Sequence, residues 1–440
     1  MSGIERRTIE IPEICRVEGH SAVTVDISDG RVANVQLEVF EGTRFFERIV
    51  LGHQYEEMPH ITSRVCAICS TGHVLAAVRA IENIFEFKPS VHTNLCRQLM
   101  HLGMIIESHA THICALALPD FLKTPDLLDF ATKHQKEFEV WTKLRNLGAS
   151  IQTIIGGRPF HPVNLHVGGL SRYPLEQDLM PLLRILDESR TYALHLCDLL
   201  SGLTLPIERT AEACFLAVVP DGPGYGYFGE VVRASDGWEA PVANYKEYLN
   251  ERVVAYSHAK ISTHLGGKPF MVGAMARLFF FADRLGKTAR SVFDKSPLAS
   301  GKACSLWNNL AQAIEILEAI EQSIVFVEQL AAGGFESEGA THLDGLVKAG
   351  RGVGAVECPR GTLYHYYELD EKGKIVAADM ITPSAQNTAQ IELDICTVVE
   401  QQMALDPALL QSSLETLVRA YDPCNTCATH MVQIRSVKAK

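Results

Sequence analysis

The sequence lacks several features that mark other classes of protein. No cationic start followed by a short apolar core opens the chain, so we expect no secretory signal. The longest apolar stretches, such as 113–118 and 279–281, are too short or too charged to span a bilayer. There is no internal repeat and no low-complexity segment. We therefore expect a soluble, cytoplasmic, globular protein with no membrane partner.

Basic residues are also fewer than acidic residues in this sequence. The chain has 40 Lys and Arg against 52 Asp and Glu, for a formal net charge of −12. Nucleic acids and anionic membrane surfaces both require basic patches, so neither is an expected partner. The 47% of hydrophobic residues are ordinary for a globular chain with a well-buried interior.

Hydrophobic periodicity predicts an α+β fold that is mainly helical. Period-two alternation on either side of a turn at 28–30 predicts a β-hairpin, and a second hairpin is predicted at 362–369 and 374–381. Segments that interrupt the helices are 156–172, 214–245 and the glycine-rich 333–354. Helices are predicted at residues 73–86, 91–118, 126–155, 177–203, 303–332, 387–403 and 407–421. The helix at 305–332 is apolar around most of its circumference, which indicates a position in the middle of a bundle.

Two Cys-x-x-Cys pairs lie near opposite ends of the chain, Cys66/Cys69 and Cys424/Cys427. Both sulfurs of such a pair lie on one side of a turn, so each pair can grip one metal or a bridged metal pair. Cys69 leads directly into a predicted helix, whose N-terminus stabilises a thiolate. Spacing alone leaves three alternatives open, namely a structural zinc site, a redox dithiol and a catalytic metal cluster.

If all four sulfurs act together, the two ends of the chain must meet. No break in composition divides the sequence, so we expect residues 1–440 to form a single intertwined domain. The chain shows no dense cysteine framework of the disulfide type. Most of the remaining cysteines lie among apolar residues and are expected to be buried free thiols: Cys15, Cys96, Cys114, Cys197, Cys214, Cys304, Cys358 and Cys396.

The residues around the two pairs form a series of motifs along the whole chain. In order, they are CRVEGH, EGTRFFERIVLG, RVCAICSTGH, ESHATHICALALPDFL, VECPRGTLYHY, ITPSAQN and VRAYDPCNTCATH. Together they resemble the large subunit of nickel–iron hydrogenases, most closely the cytosolic, bidirectional, NADP-linked branch whose alpha subunits are also called sulfhydrogenases. The resemblance implies the fold of that subunit, a central helix bundle with peripheral β-hairpins.

The resemblance implies that the four cysteines hold a Ni–Fe centre. Cys66 and Cys424 would be terminal ligands of nickel, while Cys69 and Cys427 would bridge nickel to iron. The iron in this family also carries carbon monoxide and cyanide ligands. Thiolates are soft, electron-rich donors that suit such a centre.

The resemblance also implies a proton route and ligands for the diatomic groups. The Cys424 thiolate would be the base, and Glu18 would take the proton onward. Arg360 would lie above the open metal position, with Asp120 and Asp422 holding or neighbouring its guanidinium. Arg360 and Ser384 are the candidate donors to cyanide, although a helix N-cap explains Ser384 equally well. Four histidines could orient ligands or carry protons, or could be hydrogen-bonded core residues: His73, His109, His112 and His365.

A second site is implied at the C-terminal end. Glu47 and His430 match a hard-cation site, usually Mg2+, although a histidine is a less typical ligand for that ion. Residues 431–440 match a C-terminal extension that a maturation endopeptidase removes in this family.

The implied activity is reversible cleavage of H2 to protons and electrons by the catalytic subunit of a complex. No G-x-G-x-x-G follows a predicted strand, and no further Cys-x-x-Cys is available for iron–sulfur clusters. Electrons would therefore leave through an iron–sulfur small subunit, with flavin- and NAD(P)-binding and further iron–sulfur subunits beyond it. The alternatives are a scaffold related to a respiratory complex I subunit, which shares the fold but lacks the cysteines, and a structural zinc protein.

Overall fold

Seven long helices dominate the part of the chain that the computed structural model describes, which comprises residues 6–42, 45–124, 126–301, 304–332, 343 and 345–429. They are α1 Ser70–Phe85, α2 Val91–Thr111, α3 Gln135–Gly156, α4 Glu176–Ser201, α5 Asn308–Ala332, α6 Pro383–Gln402 and α7 Pro407–Ala420. All seven predicted helices are confirmed, with shifts at their ends.

Two of the predicted helices are interrupted. The helix expected at 91–118 continues beyond α2 as a π-helical stretch, His112–Ala117, followed by a short helix, Leu118–Leu122. The helix expected at 126–155 divides at His134, whose backbone leaves the helical region, into Leu127–Lys133 and α3. Hydrophobic periodicity indicates which face of a helix is buried, and it does not locate a change in the backbone hydrogen bonding.

The helices α2, α3, α4 and α5 pack into a bundle. The N-terminal half of α5 is buried on all sides, as its apolar circumference predicted. Between α2 and α3 the backbones approach very closely, since a Cβ atom placed on Gly148 would lie 2.4 Å from the carbonyl oxygen of Gly103. Only residues without a side chain allow this contact.

Thirteen strands in the described residues form small antiparallel sheets around the bundle. The N-terminal sheet is β1 Arg6–Ile11, β2 Ser21–Ser28 and β3 Arg31–Val39, and the sheet facing α1 is β11 Gly350–Cys358, β12 Gly361–Leu369 and β13 Ile375–Ile381. The other strands are β4 Leu165–His166, β5 Gly169–Leu170, β6 Leu216–Val219, β7 Val231–Ala234, β8 Glu239–Pro241, β9 Leu249–Val253 and β10 Lys260–His264. Both predicted hairpins are confirmed, and the fold class is α+β.

The glycine-rich segment predicted at 333–354 ends in a strand, since residues 350–354 belong to β11. Gly352 and Gly354 are there because β11 packs directly against α1. A Cβ on Gly354 would lie 2.3 Å from the carbonyl oxygen of Ala76. These glycines therefore mark a tight strand–helix contact rather than a flexible connection.

The two ends of the described chain meet. Glu18 and Cys424 form a parallel bridge, in which the backbone N–H of Asn425 donates to the carbonyl oxygen of Glu18 at 2.9 Å. The main hydrophobic core accordingly runs from Ile11 to Cys427. His430 and the extension 431–440 lie outside the described residues. Among the described helices, none combines the length and the apolar character that a membrane crossing requires.

Candidate metal centre

The four predicted cysteines come together in the interior. Cys66 lies just before α1 and Cys69 caps its N-terminus, while Cys424 and Cys427 occupy the turn that follows α7. All four side chains are buried, and their sulfur atoms lie within 4.8 Å of one another. The fold therefore makes one site out of two motifs that are 358 residues apart.

The sulfur separations show free thiols rather than disulfides. The Sγ–Sγ distances are 2.9 Å for Cys424–Cys427, 3.2 Å for Cys69–Cys427 and 3.5 Å for Cys66–Cys424. A disulfide bond is only about 2.05 Å long. Hydrogen bonds with Cys424 and Cys427 lower the pKa of the Cys66 thiol well below its usual value. Four clustered thiols are a donor set for soft metal ions.

Glu18 lies against the cluster. The Cys424 thiol donates to Glu18 Oε2 at 3.1 Å, and Thr426 donates to both carboxylate oxygens, through Oγ1 at 2.6 Å and its backbone N–H at 3.1 Å. Burial and the charge of Cys424 raise the pKa of the Glu18 carboxyl to about 8. Thr426 was not predicted, and its position between two cysteines was the only available signal.

Arg360 and Asp422 form a buried ion pair beside the sulfurs. Arg360 donates from Nη2 to Asp422 Oδ1 at 2.8 Å and from Nε to the carbonyl oxygen of Asp422 at 2.6 Å. Asp422 adopts a positive φ of 53°, which directs its carbonyl and carboxylate toward the same guanidinium. Among the described residues, Arg360 Nη1 is buried with no hydrogen-bond partner.

Arg360 lines a small cavity together with Cys69, Cys424 and Cys427. An unpaired buried donor costs roughly 1–3 kcal/mol, so a polar or anionic group beside the sulfurs would satisfy it. The residues present therefore fit a thiolate-held metal centre that carries polar ligands.

Two predicted residues have other partners than expected. Asp120 accepts from Arg419 Nη1 at 2.8 and 2.9 Å and pairs with Arg16, so of the two carboxylates expected to hold or neighbour the Arg360 guanidinium, Asp422 is the one that holds it. Ser384 is not the N-cap of α6, since Thr382 occupies that position. Instead, Ser384 Oγ accepts the backbone N–H of Cys424 at 2.9 Å and lines the cavity.

The four histidines divide into two groups. His73 lies 3.8 Å from Cys427 Sγ through Nε2, and its Nδ1 is 3.0 Å from Nε2 of His365. A hydrogen bond of 2.8 Å links His365 to the hydroxyl of Tyr367. These hydrogen bonds orient the imidazole of His73 next to the sulfur of Cys427. His109 and His112 are hydrogen-bonded core residues, paired with Glu315 at 2.8 Å and Gln312 at 2.5 Å.

Sequence reasoning missed Arg277, which holds the segment preceding Arg360. Its side chain is fully buried, and it donates to Glu315 at 2.6 and 2.7 Å and to Glu357 at 2.9 Å. It also donates to the carbonyl oxygens of Cys358 and Pro359 at 2.9 and 3.1 Å. A charged residue inside the apolar run VGAMARLFFF was the available signal.

Glu47 lies in a separate cluster of carboxylates. Its Oε1 accepts from the backbone N–H of Met380 at 3.0 Å and from Lys260 Nζ at 3.2 Å. Lys260 also contacts Glu251 at 3.0 Å and Asp379 at 3.8 Å. The second residue expected at this cation site, His430, lies outside the described residues.

The site and the fold agree with the comparisons to known proteins. The family model for nickel-dependent hydrogenases matches residues 44–147 and 231–430. Sulfhydrogenase 1 subunit alpha of Pyrococcus furiosus is 36% identical, with 97% of this chain and 98% of that protein covered. Sulfhydrogenase 2 subunit alpha of the same organism is 33% identical, with coverage of 97% and 100%. A crystal structure of an NAD+-reducing nickel–iron hydrogenase superposes with a TM-score of 0.84 at 26% identity, covering 96% of this chain and 99% of that one.

The chain therefore belongs to the nickel-dependent hydrogenases, as the catalytic large subunit of a nickel–iron enzyme. This confirms the predicted family, fold and enzyme class. The four-cysteine cluster is the place for a Ni–Fe centre, which decides among the three alternatives that the cysteine spacing left open.

Proposed function

We propose that this subunit cleaves H2 reversibly and that the proton leaves through Cys424 and Glu18. The observation that carries the proposal is the 3.1 Å contact between Cys424 Sγ and Glu18 Oε2 at the edge of the four-thiol cluster. When bound, the Ni–Fe centre supplies the soft, electron-rich site at which H2 is split. Glu18 is half-buried, so it lies between the buried sulfur and the protein surface.

We assign the ligand roles of the four cysteines by the pattern of the family. Cys66 and Cys424 would be the terminal ligands of nickel, and Cys69 and Cys427 would bridge nickel to iron. The contact of Glu18 with Cys424, and with Thr426 next to it, supports proton transfer at a terminal sulfur.

Arg360 and Ser384 would surround the diatomic ligands of iron. The free Nη1 donor of Arg360 is the main support, because a cyanide nitrogen would satisfy it. Asp422 keeps the guanidinium charged and fixed in place. Ser384 acts on the site through the backbone N–H of Cys424, which its hydroxyl accepts, and by lining the same cavity. Asp120 would act on the site indirectly, because it holds Arg419 at the end of α7.

The C-terminal end would complete the subunit. We propose that Glu47 and His430 bind Mg2+ or a similar cation, and that an endopeptidase removes residues 431–440 from a single 440-residue domain. The carboxylates gathered around Glu47 support a cation site, although Lys260 holds that position in the described structure. Intact-mass spectrometry of the active enzyme tests the cleavage, since a chain ending at His430 is the expected product.

Electrons would pass to an iron–sulfur small subunit and then through flavin- and nucleotide-binding subunits to NAD(P) in the cytoplasm. Two relatives support this: a sulfhydrogenase alpha subunit and an NAD+-reducing enzyme, which both cover almost the whole chain. Purification of the complex, followed by H2-dependent reduction of NAD+ and NADP+ in parallel, tests the acceptor.

The proton route is tested by Glu18→Gln. The variant should keep the nickel and iron content of wild type, together with the infrared bands of metal-bound CO and CN, but lose H/D exchange and H2 oxidation by about 100-fold or more. Glu13→Gln, on the same segment but exposed, is the matched control and should behave as wild type. Retained H/D exchange in Glu18→Gln would exclude the proposed role. Cys424→Ala should abolish H2 uptake altogether.

A further inference from the structure

A second group of metal-binding side chains lies outside the four-cysteine centre. Cys214 precedes β6, Asp236 lies in the turn between β7 and β8, and His264 is the last residue of β10. The sulfur, one carboxylate oxygen and one ring nitrogen lie within 4.8 Å of one another. Three separate segments thus bring three different donors to one point.

His264 is the most informative member of the group. Its side chain is fully buried, yet neither ring nitrogen has a hydrogen-bond partner among the described residues. Each unsatisfied buried polar atom costs roughly 1–3 kcal/mol, and such groups in a folded protein call for an explanation. The rings nearby, Phe270 at 5.6 Å and Trp238 at 6.1 Å, pack against the imidazole without accepting a strong hydrogen bond from it.

The backbone around His264 holds this ring in place. His264 and Lys268 exchange backbone hydrogen bonds of 3.0 and 3.1 Å across a tight turn, and β10 pairs with β9 up to His264. The imidazole therefore offers a ligand nitrogen at a fixed position. Cys214 and Asp236 lie in connecting segments and are partly or fully exposed, so they can adjust to an ion.

The donor set selects the class of ion. One thiolate, one imidazole and one carboxylate suit Zn2+ and similar borderline-soft divalent ions, whereas Mg2+ and Ca2+ prefer oxygen ligands only. Metal–ligand bonds of about 2.0–2.3 Å place tetrahedral ligand atoms about 3.3–3.8 Å apart, so a contraction of at most about 1.5 Å would close the site. Three protein ligands leave a fourth position for water.

Cys214 and Asp236 each have one weak contact outside the group. Lys268 Nζ lies 3.7 Å from Asp236, and its side chain is exposed, so the pair contributes little. Ser235 donates to Cys214 Sγ at 3.6 Å, a long contact that orients the thiol. An ion would replace the first contact and leave the second unaffected.

We propose that Cys214, Asp236 and His264 form a binding site for one zinc-class divalent ion. The ion would join the β6–β8 sheet to the β9–β10 hairpin. Its binding is independent of H2 chemistry, since none of the three residues belongs to the four-cysteine centre.

The test is elemental analysis of the purified holoenzyme after equilibrium dialysis against Zn2+. Wild type should retain about one zinc per chain in addition to its nickel and iron. Cys214→Ser, Asp236→Asn and His264→Gln should each weaken zinc affinity about tenfold or more, while nickel, iron and H2 oxidation stay at wild-type levels. Cys396→Ser, which removes another partly buried thiol, should leave zinc binding unchanged.

Lys268→Gln separates the loss of a ligand from misfolding, because the expected result is tighter zinc binding and misfolding would only weaken it. Removing the cation that faces Asp236 should tighten zinc binding several-fold. The proposal is overturned if wild type retains no zinc, or if the three ligand variants bind zinc as tightly as wild type. Either result would leave the assignment of the Ni–Fe site untouched, because nickel and iron are measured in the same samples.

Discussion

The acidity of the Cys424–Glu18 pair depends on one further side chain, Thr426. Its hydroxyl and its backbone N–H both donate to the Glu18 carboxylate, at 2.6 and 3.1 Å. These hydrogen bonds lower the pKa of Glu18, against the larger effect of burial, which raises it. They also fix the carboxylate where the Cys424 thiol can reach it.

We therefore expect Thr426→Val to slow proton transfer without loss of metal. The valine keeps the shape but removes the hydroxyl donor, so H2 oxidation should fall by about three- to thirtyfold. Thr426→Ser, which keeps the hydroxyl, should restore most of the rate. H/D exchange and metal content measured on both variants distinguish this effect from a damaged centre; equal rates in the valine and serine variants would contradict it.

Among the other cysteines, exposure follows local position rather than residue type. The expectation of burial holds for five of the eight: Cys96, Cys114, Cys197, Cys304 and Cys358. It is wrong for Cys15, which is exposed, and for Cys214 and Cys396, which are partly exposed. Apolar neighbours in sequence do not decide which side of an element faces water.

At the scale of elements, the close contact between α2 and α3 limits what can change there. A Cβ on Gly148 would lie 2.4 Å from the Gly103 carbonyl oxygen and 2.7 Å from the backbone nitrogen of Glu107. Backbone atoms cannot move aside as a flexible side chain can. The two helices would have to separate.

Gly148→Ala should accordingly lower the stability of the enzyme by about 2–4 kcal/mol, despite the better helix propensity of alanine. The exposed Asn146→Ala on the same helix is the control and should change stability by less than about 0.5 kcal/mol. Chemical denaturation of both variants measures the difference. An unchanged midpoint for Gly148→Ala would show that the helices do not approach as described.

The same interface contains a carboxyl whose ionisation opposes folding. Burial raises the pKa of Glu107 to about 7. Its Oε2 accepts from Gln152 at 2.7 Å, while its Oε1 has no hydrogen-bond partner among the described residues. Since the folded pKa lies above the unfolded value near 4.5, the folded state binds more protons between these pH values. The free energy of unfolding therefore falls as pH rises from about 4.5 to 7 because of this carboxyl. Above pH 7 the loss stays constant.

Glu107→Gln removes this pH-dependent loss. Relative to wild type, the variant should gain about 1–3 kcal/mol of stability between pH 5 and pH 8. Melting temperatures at the two pH values measure the change, and the exposed Glu139→Gln on α3 controls for the loss of one charge. A difference between variant and wild type that stays constant with pH would show that Glu107 ionises normally.

At the scale of the whole molecule, a Ni–Fe centre would join two ends of the chain. Cys66 and Cys424 are 358 residues apart, and their side chains meet in one buried cluster. An ion bound only by the folded state adds its binding free energy to stability. The centre would thus stabilise the fold that creates it.

Metal-free enzyme should consequently unfold at a lower temperature than the holoenzyme. Both forms are best produced as chains ending at His430, so that the C-terminal extension does not differ between them. The same comparison on Cys424→Ala, which lacks a ligand, should show little or no difference. Scanning calorimetry supplies the measurement; equal melting temperatures for metal-free and metal-loaded wild type would rule out this coupling.

The sequence by itself determined the long helices, the two hairpins and the family. Apolar periodicity located the seven long helices and both hairpins, because side-chain spacing reflects which face is buried. The motifs around Cys66 and Cys424 identified the family, because those residue types are dictated by the metals.

Only the tertiary structure decided which side chains share a partner. Asp422, and not Asp120, holds Arg360; Thr426 completes the Glu18 contact; Arg277 supports the segment before Arg360; and His264 meets Cys214 from a distant strand. Such pairings arise between residues far apart in sequence, where local spacing carries no information about distance. They are set by the way the helices and sheets pack, which satisfies buried charges with whichever partner lies within reach.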